Sequence, residues 1–481
     1  MRQVLIIHGW SDTSKSFKRL TGFLQDNGYK AVTLWLGDYI SLDDDVRIED
    51  VGKRLEEVIR EKLASGELVA PFDIIVHSTG GLVAREWVSA YYADDIRQCP
   101  AKRLIMLAPA NFGSRLASMG KSMLGRVLKG WNNWFHTGTG MLNALELASP
   151  YQWSLAERDL FVPEGKGSAP AIYGGDGIFA FVITGTHPYT SKLREIVNED
   201  GSDGTVRAAA TNLNVQGAVV DFSVNEQTPL VTPRKLRHKT EIPLAILPDR
   251  THASIISPLK NDVKSKPYYS KRLGELVLEA LACDNANTYQ AMAEQWRGLS
   301  EETAELRIDE APRNAGFGKG TKAEYFHQYM QVNVRVVDDH GADVADYFLE
   351  FSGPEEERGD RSSVYFHQEV LEHVHENKTN GSYRCLYVDR TDLFENYYDK
   401  IAGNVARVLN MSISANPPGK NVSYFSNYKV GASGIVPLHF EQVKKTGSAR
   451  QLRWLKRNST HFVKIIIPRT PKEQVFRMKK A

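Results

Sequence analysis

Three residues of the types used in nucleophilic catalysis, Ser78, Asp203 and His252, occur in a chain order that can build one site. In such a set the serine attacks a carbonyl carbon, the histidine takes its proton, and the aspartate orients the histidine and stabilises its charged form. Each residue follows an apolar segment that predicts a buried strand. These segments are Phe72–Val76, Phe179–Gly185 and Leu244–Pro248.

Ser78 lies in the sequence His77-Ser78-Thr79-Gly80-Gly81, between the strand 72–76 and a helix predicted from Leu82. A sharp turn from strand to helix with a serine at its corner is a nucleophile elbow, whose usual pattern is G-x-S-x-G. Here Val76 replaces the first glycine. The alternative interpretation is that Ser78 only caps the following helix.

The acid is predicted to be Asp203, in Asp-Gly-Thr-Val, where the glycine allows a tight loop. Asp200 remains an alternative, whereas Asp176 precedes its strand and would lie at the wrong end of the sheet. His252, one of thirteen histidines, is favoured as the general base because it follows the last predicted sheet strand. Its alternative is a solvated loop histidine.

A serine nucleophile also needs two backbone N–H donors for the oxyanion. Thr79, directly after Ser78, is predicted to supply one donor, and Trp10, after the first strand Val4–Ile7, the other. The alternative for Trp10 is an aromatic side chain packed under the site, and the two roles are compatible.

Strands and helices alternate along the first half of the chain, which predicts a parallel sheet covered on both faces. With the chain order Ser, Asp, His, this predicts an α/β-hydrolase domain over residues 1–284. The alternation stops between residues 110 and about 170, where a cap is expected. Its apolar residues recur at helical spacing among basic ones and predict either a lipid-facing interfacial helix or a cap helix packed on its own domain. These residues are Leu116, Met119, Met123, Leu124, Val127, Leu128 and Trp131.

The second half predicts a linker over 285–325 and an antiparallel β-sandwich over 326–481, from period-two patterning between Gly, Asn and Asp turns. The whole chain of 481 residues has a net charge of +2, which gives no reason to expect nucleic acid. Three widely spaced cysteines imply no disulfide framework. No signal peptide is evident, and no apolar run approaches the roughly 20 residues of a membrane helix.

No metal or cofactor is predicted, because serine hydrolysis needs none. His373 and His375 could place two imidazoles on one strand face, but no third ligand is evident in the sequence. The acidic run Asp43-Asp44-Asp45 is interpreted as a solvated loop.

With these residues placed, the chain resembles the PlaB-like bacterial phospholipases A. The resemblance rests on the opening Ile-Ile-His-Gly-Trp-Ser-Asp-Thr-Ser, the His-Ser-Thr-Gly elbow, the order Ser78, Asp203, His252, and the size of the C-terminal region. Val76 departs from the threonine usual in that family.

The resemblance implies hydrolysis of acyl esters of phospholipids and lysophospholipids, a C-terminal domain needed for activity, and self-association into homo-oligomers. It also implies peripheral membrane contact in a bacterium, with the outer membrane suggested. The alternatives are a carboxylesterase acting on soluble esters and a non-catalytic protein that binds lipid or a partner.

Overall fold

The computed structural model describes most of the chain, and the account below is confined to that part. The described residues are 2–7, 14–34, 45–119, 138–189, 198–258, 267–305, 307–308, 324–325, 327–352, 361–401, 408–425, 436–439, 456–473 and 475.

The strands are numbered in chain order. They are β1 Gln3–Ile7, β2 Lys30–Leu34, β3 Phe72–His77, β4 Ala101–Leu107, β5 Phe179–Gly185, β6 Gln216–Asp221, β7 Leu230–Pro233, β8 Leu244–Leu247, β9 Arg307–Ile308, β10 Glu324–Tyr325, β11 Tyr329–Asp338, β12 Tyr347–Ser352, β13 Leu371–Glu376, β14 Tyr383–Asp389, β15 Val408–Ala415, β16 Val422–Tyr424, β17 Val436–His439, β18 Thr460–Ile467 and β19 Arg469–Pro471.

The α-helices are numbered likewise, and three short segments have other helical geometry. The α-helices are α1 Ser14–Asp26, α2 Ile48–Ala64, α3 Gly80–Tyr91, α4 Arg115–Ser118, α5 Thr139–Leu145, α6 Pro150–Asp159, α7 Ala208–Thr211, α8 Pro267–Ala282, α9 Ala286–Glu305, α10 Arg361–Tyr365 and α11 Arg390–Asp392. Ile96–Gln98 is a 3₁₀-helix, and Phe366–Val370 and Leu393–Ile401 are π-helical. None of the described helices is long and apolar enough to cross a membrane.

The chain divides into two compact units, and the first contains residues 1–214 and 235–327. Its main sheet has the order β2-β1-β3-β4-β5-β8, with every neighbouring pair parallel. Every residue of β3 and β5 is buried, as expected for strands covered on both faces. The predicted α/β-hydrolase architecture is confirmed, and the carboxyl ends of these strands lie along one edge of the sheet.

Helix α9 occupies much of the segment that the sequence predicted to be a linker over 285–325. Its Tyr289 and Trp296 are fully buried and share a core with Phe181 of β5. The Tyr289 hydroxyl donates to the Ala180 carbonyl oxygen at 2.8 Å. The helix therefore belongs to the first unit, and the boundary predicted at residue 284 is too early. The sequence of α9 shows that the helix has an apolar face, but it does not specify that this face packs on the main sheet.

The second unit contains residues 215–234 and 328–481. Its six-stranded sheet has the order β13-β14-β11-β18-β6-β7, and a separate sheet has the order β12-β15-β17. The two-sheet region agrees with the predicted sandwich, but the larger sheet is mixed: β11 pairs with β18 in parallel, and so does β18 with β6. The predicted β-sandwich is confirmed. The parallel pairs in its larger sheet differ from the antiparallel pairing expected, because alternation along a single strand carries no information on strand direction.

Residues 215–234 form a β6–β7 hairpin in the sheet of the second unit, although they lie within the sequence range predicted for the hydrolase domain. Ala218, Val220 and Phe222 contribute to the core of that unit. The two units are therefore not separated at one point in the sequence, as a single linker would require.

Candidate active site

The turn from β3 into α3 forms a strained corner at Ser78. Ser78 has φ of 55°, in the left-handed region that few residues other than glycine adopt. Its amide donates to the Leu107 carbonyl oxygen at 3.2 Å. Its own carbonyl oxygen accepts from the amides of Gly81 and Ala110, both at 3.1 Å. Both sides of the corner are therefore held by backbone hydrogen bonds, the geometry of a nucleophile elbow.

The two glycines after the elbow lie where a side chain would collide with neighbouring strand ends. A Cβ atom on Gly80 would lie 2.9 Å from the Ile7 carbonyl oxygen, and one on Gly81 would lie 2.6 Å from the Pro109 Cβ. Helix α3 thus starts in close contact with the ends of β1 and β4. This agrees with the expectation that small residues let the helix begin directly behind Ser78.

The side chains of Ser78, His252 and Asp203 form a continuous chain of contacts. Ser78 Oγ lies 3.0 Å from His252 Nε2, and His252 Nδ1 lies 2.8 Å from Asp203 Oδ2. All three residues are buried, with Asp203 fully so. A proton on Nδ1 facing the carboxylate leaves Nε2 able to accept the serine proton, so the arrangement is chemically able to activate the hydroxyl.

The other oxygen of Asp203 is held by its own loop. Asp203 Oδ1 accepts from the amides of Thr205 and Val206, at 3.0 and 2.8 Å. The amide of Asp203 donates in turn to the Val206 carbonyl oxygen at 3.2 Å. Gly204, with φ of 92°, supplies the left-handed residue that this tight loop requires. The loop therefore fixes the carboxylate with one oxygen directed at His252.

Further contacts support the loop from its flanks. The buried Arg207 makes a bidentate ion pair with Glu199, with both N–O distances 2.7 Å. Paired hydrogen bonds of this kind define orientation as well as position. The hydroxyls of Tyr189 and Thr205 lie 3.0 Å apart. The acid is thus carried on a braced loop rather than on a regular element.

The two other aspartates considered from the sequence lie elsewhere. Asp200 is exposed in the same loop, and Asp176 is exposed in the turn that precedes β5. The structure brings the buried carboxylate of Asp203 into contact with His252.

One candidate oxyanion donor can be located. Thr79 is buried and directly precedes the first residue of α3, where helix N–H groups point out of the end of the helix. Trp10, predicted as the second donor, lies outside the described residues, so its placement stays a prediction.

The predicted cap is described only in part. Leu116, in the short helix α4, is 2% exposed and Met119 is partly buried. Leu116 therefore packs inside the unit, as the alternative of a cap helix packed on its own domain expects and the lipid-facing alternative does not. The remaining predicted cap residues, Met123, Leu124, Val127, Leu128 and Trp131, lie outside the described residues.

The pair His373 and His375 lies on β13, with ring centroids 6.2 Å apart and nearly parallel planes. Among the described residues, these two belong to no group of three or more His, Cys, Asp or Glu side chains close enough to share an ion.

His77 contacts the candidate base His252, a role that the sequence alone does not predict. It is buried, and its ring packs on that of His252, with centroids 4.7 Å apart. The only indication in the sequence is its position directly before Ser78 at the elbow.

Comparison with known proteins gives the same architecture. No protein-family model and no curated protein matches the sequence. Phospholipase PlaB from Legionella pneumophila superimposes with a TM-score of 0.78 at 23% sequence identity, covering 100% of this chain and 96% of that one. The same protein in complex with thio-NAD gives 0.77 at 24% identity, with the same coverage. The chain thus shares the fold of phospholipase PlaB along its whole length, and the resemblance to PlaB-like phospholipases indicated by its sequence motifs is confirmed at the level of the fold.

Proposed function

We propose that this protein is a serine ester hydrolase that cleaves acyl esters of phospholipids and lysophospholipids, a phospholipase A and lysophospholipase. The observation that carries the proposal is the contact chain of Ser78 Oγ, His252 Nε2, His252 Nδ1 and Asp203 Oδ2, with distances of 3.0 and 2.8 Å. The left-handed backbone of Ser78 supports it, because strain of this kind at a buried serine is typical of a nucleophile elbow.

In the proposed mechanism, Ser78 Oγ attacks the acyl carbonyl carbon while His252 Nε2 takes the hydroxyl proton. Asp203 stabilises the imidazolium that results. The Thr79 and Trp10 amides are proposed to hold the oxyanion. Collapse of the tetrahedral intermediate breaks the ester bond, and the leaving alcohol receives the proton from His252.

The acyl-enzyme on Ser78 is then hydrolysed by water. His252 takes a proton from that water and returns it to Ser78 as the fatty acid leaves. No step in this sequence calls on a metal or cofactor, and each proton transfer uses the same nitrogen of His252.

The lipid specificity is a finer proposal with two supports. One is the apolar sequence of the cap region, which favours acyl chains over sugars or peptides. The other is the whole-chain fold likeness to a phospholipase. We also propose peripheral association with a bacterial membrane, with the outer membrane suggested by the family resemblance, and a homo-oligomeric state, which analytical ultracentrifugation would measure.

The activity is tested with Ser78→Ala against a matched serine variant, Ser65→Ala, at an exposed helix end. Palmitoyl lysophosphatidylcholine micelles, phosphatidylcholine vesicles and a soluble short-chain ester serve as substrates. The wild type and Ser65→Ala are expected to release fatty acid from the lipids, and Ser78→Ala is expected to lose this activity and its labelling by a fluorophosphonate probe.

The other outcomes identify the alternatives. Cleavage of the soluble ester alone indicates a carboxylesterase. Absence of both hydrolysis and labelling in the folded wild type indicates a non-catalytic lipid-binding or partner-binding protein. Full hydrolysis by folded Ser78→Ala refutes Ser78 as the nucleophile.

A further inference from the structure

His252 lies in a loop, so its position depends on individual contacts rather than on a strand ladder. Strand β8 ends at Leu247, five residues earlier. The His252 amide donates to the Asp203 carbonyl oxygen at 3.0 Å. This bond holds the N-terminal side of the residue, and a separate contact holds its carbonyl side.

His77 provides that contact. Its Nε2 lies 3.1 Å from the His252 carbonyl oxygen, across 175 positions of sequence. A carbonyl oxygen can only accept a hydrogen bond, so Nε2 of His77 must carry a proton and donate it. The main chain of His252 is therefore held on one side by Asp203 and on the other by His77.

The His77 ring also limits the movement of the His252 ring. Their centroids are 4.7 Å apart with an interplanar angle of 40°. The His77 ring also makes an edge contact with the Phe17 ring, with a centroid distance of 6.1 Å. Since His77 is 3% exposed, its position leaves little room for it to turn away from this contact.

We propose that His77 is a positioning residue for the reaction: its Nε2–H group and ring hold His252 in the orientation that joins Ser78 to Asp203. The inference rests on the proposed function. His77 directly precedes the nucleophile on the chain, so the same elbow that presents Ser78 also fixes the loop that carries its base. The elbow therefore contributes to the spacing between the two reacting groups.

A purely structural role is the competing explanation, in which His77 fills space between Phe17 and the His252 loop. The two roles differ in what they demand of the side chain. Filling space requires volume, which methionine supplies. Holding the carbonyl oxygen of His252 requires a donor, which glutamine supplies with nearly the same length and shape as methionine.

The test compares His77→Gln and His77→Met in the full chain, with thermal unfolding measured for each. Hydrolysis of palmitoyl lysophosphatidylcholine and fluorophosphonate labelling of Ser78 are followed. His77→Met is expected to lower kcat about 10- to 100-fold with little change in KM, because a small misplacement of a catalytic group costs factors of this size. His77→Gln is expected to remain within about fivefold of the wild type, because its amide retains a donor for the His252 carbonyl oxygen.

Equal kcat in folded His77→Met and the wild type overturns the proposal, as does an equal loss in folded Gln and Met variants. If His77→Met does not fold, His77→Asn replaces it, because its amide is one carbon shorter and cannot reach the His252 carbonyl oxygen. The same loss then supports the proposal, and wild-type kcat overturns it. Failure of the proposed function is recognised separately, by a wild type that neither hydrolyses the lipid nor labels at Ser78.

Discussion

Asp203 and His252 are joined twice, once through their side chains and once through their main chains. The carboxylate Oδ2 lies 2.8 Å from Nδ1, and the His252 amide donates to the Asp203 carbonyl oxygen at 3.0 Å. Because the second bond does not depend on the carboxylate, the loop can keep its place when the side-chain charge is removed. The electrostatic role of Asp203 can therefore be separated from its structural role.

Asp203→Asn is expected to lower kcat by about 10²- to 10⁴-fold while the protein stays folded. The amide oxygen can still accept from Thr205 and Val206, but the NH₂ group then faces Nδ1 and favours the wrong tautomer of His252. Asp200→Asn is the matched control, since Asp200 is exposed in the same loop. Comparable activity of Asp203→Asn and Asp200→Asn would contradict the assignment of the acid.

Gly81→Ala is expected to destabilise the protein by about 1–3 kcal/mol, because overpacking of a close contact costs this much. The added Cβ would lie 2.6 Å from the Pro109 Cβ and 3.2 Å from the Asn111 Oδ1. Relief of that overlap would shift α3 away from β4 and lower kcat as well. Chemical denaturation and the lipid assay measure the two effects.

Gly22→Ala is the control for this substitution. Gly22 lies inside helix α1, and apart from its chain neighbours and the backbone of that helix, no atom lies within 4 Å of the added Cβ. Alanine there is expected to stabilise by about 0.5–1 kcal/mol through its lower conformational entropy in the unfolded chain. A Gly81→Ala variant as stable and active as Gly22→Ala would show that close packing at the elbow is not required.

The sequence predicts those parts of the fold whose determinants are local. The apolar run predicts β5 over 179–185, and the structure has the same bounds. The sequence alone does not predict the sheet to which the β6–β7 hairpin belongs, because only its pairing with β18, more than two hundred residues later, identifies that sheet. The same limit applies to the site. Chain order was enough to select Ser78, Asp203 and His252 as candidates, whereas the contact between His77 and the His252 carbonyl depends on loop geometry that no spacing specifies.

His461 is expected to make the second unit less stable in mild acid. Its side chain is fully buried, and its Nε2 accepts from the Lys456 amide at 3.1 Å. Burial lowers the pKa of His461 to about 4, compared with 6.5 for a histidine exposed to solvent. The unfolded chain therefore binds the proton first as pH falls. Above pH 6.5 the neutral His461 does not reduce the free energy of unfolding. Between pH 6.5 and pH 4 that free energy decreases by about 3 kcal/mol in total.

His461→Gln is the matched variant, because its amide oxygen can accept the same bond and does not titrate. The free energy of unfolding is measured by urea denaturation between pH 4 and pH 7.5 for both proteins. The wild type is expected to lose stability relative to His461→Gln as pH falls. Parallel curves would contradict the inferred neutral histidine, and the effects of other titrating groups cancel in the comparison.

We expect that the second unit folds as a separate fragment only when the β6–β7 hairpin is included. A fragment of residues 328–481 lacks the strand that pairs with β18 over six positions, from Gln216 to Asp221. It also lacks the buried side chain of Phe222, which meets Phe425 edge to face at 5.7 Å. We expect this fragment to unfold without cooperativity and to aggregate, because β18 becomes an open edge with apolar side chains beside it.

A second fragment restores these contacts by joining residues 215–234 to 328–481 through a Gly/Ser linker of about 20 residues, which can span about 25 Å on average. Urea unfolding followed by circular dichroism is expected to give a cooperative transition for this fragment alone.

Val220→Asp in the joined fragment should abolish the transition, since Val220 is fully buried in the core of the unit and an unpaired charge there is strongly unfavourable. Cooperative folding of 328–481 by itself would show that the hairpin is an accessory to this unit.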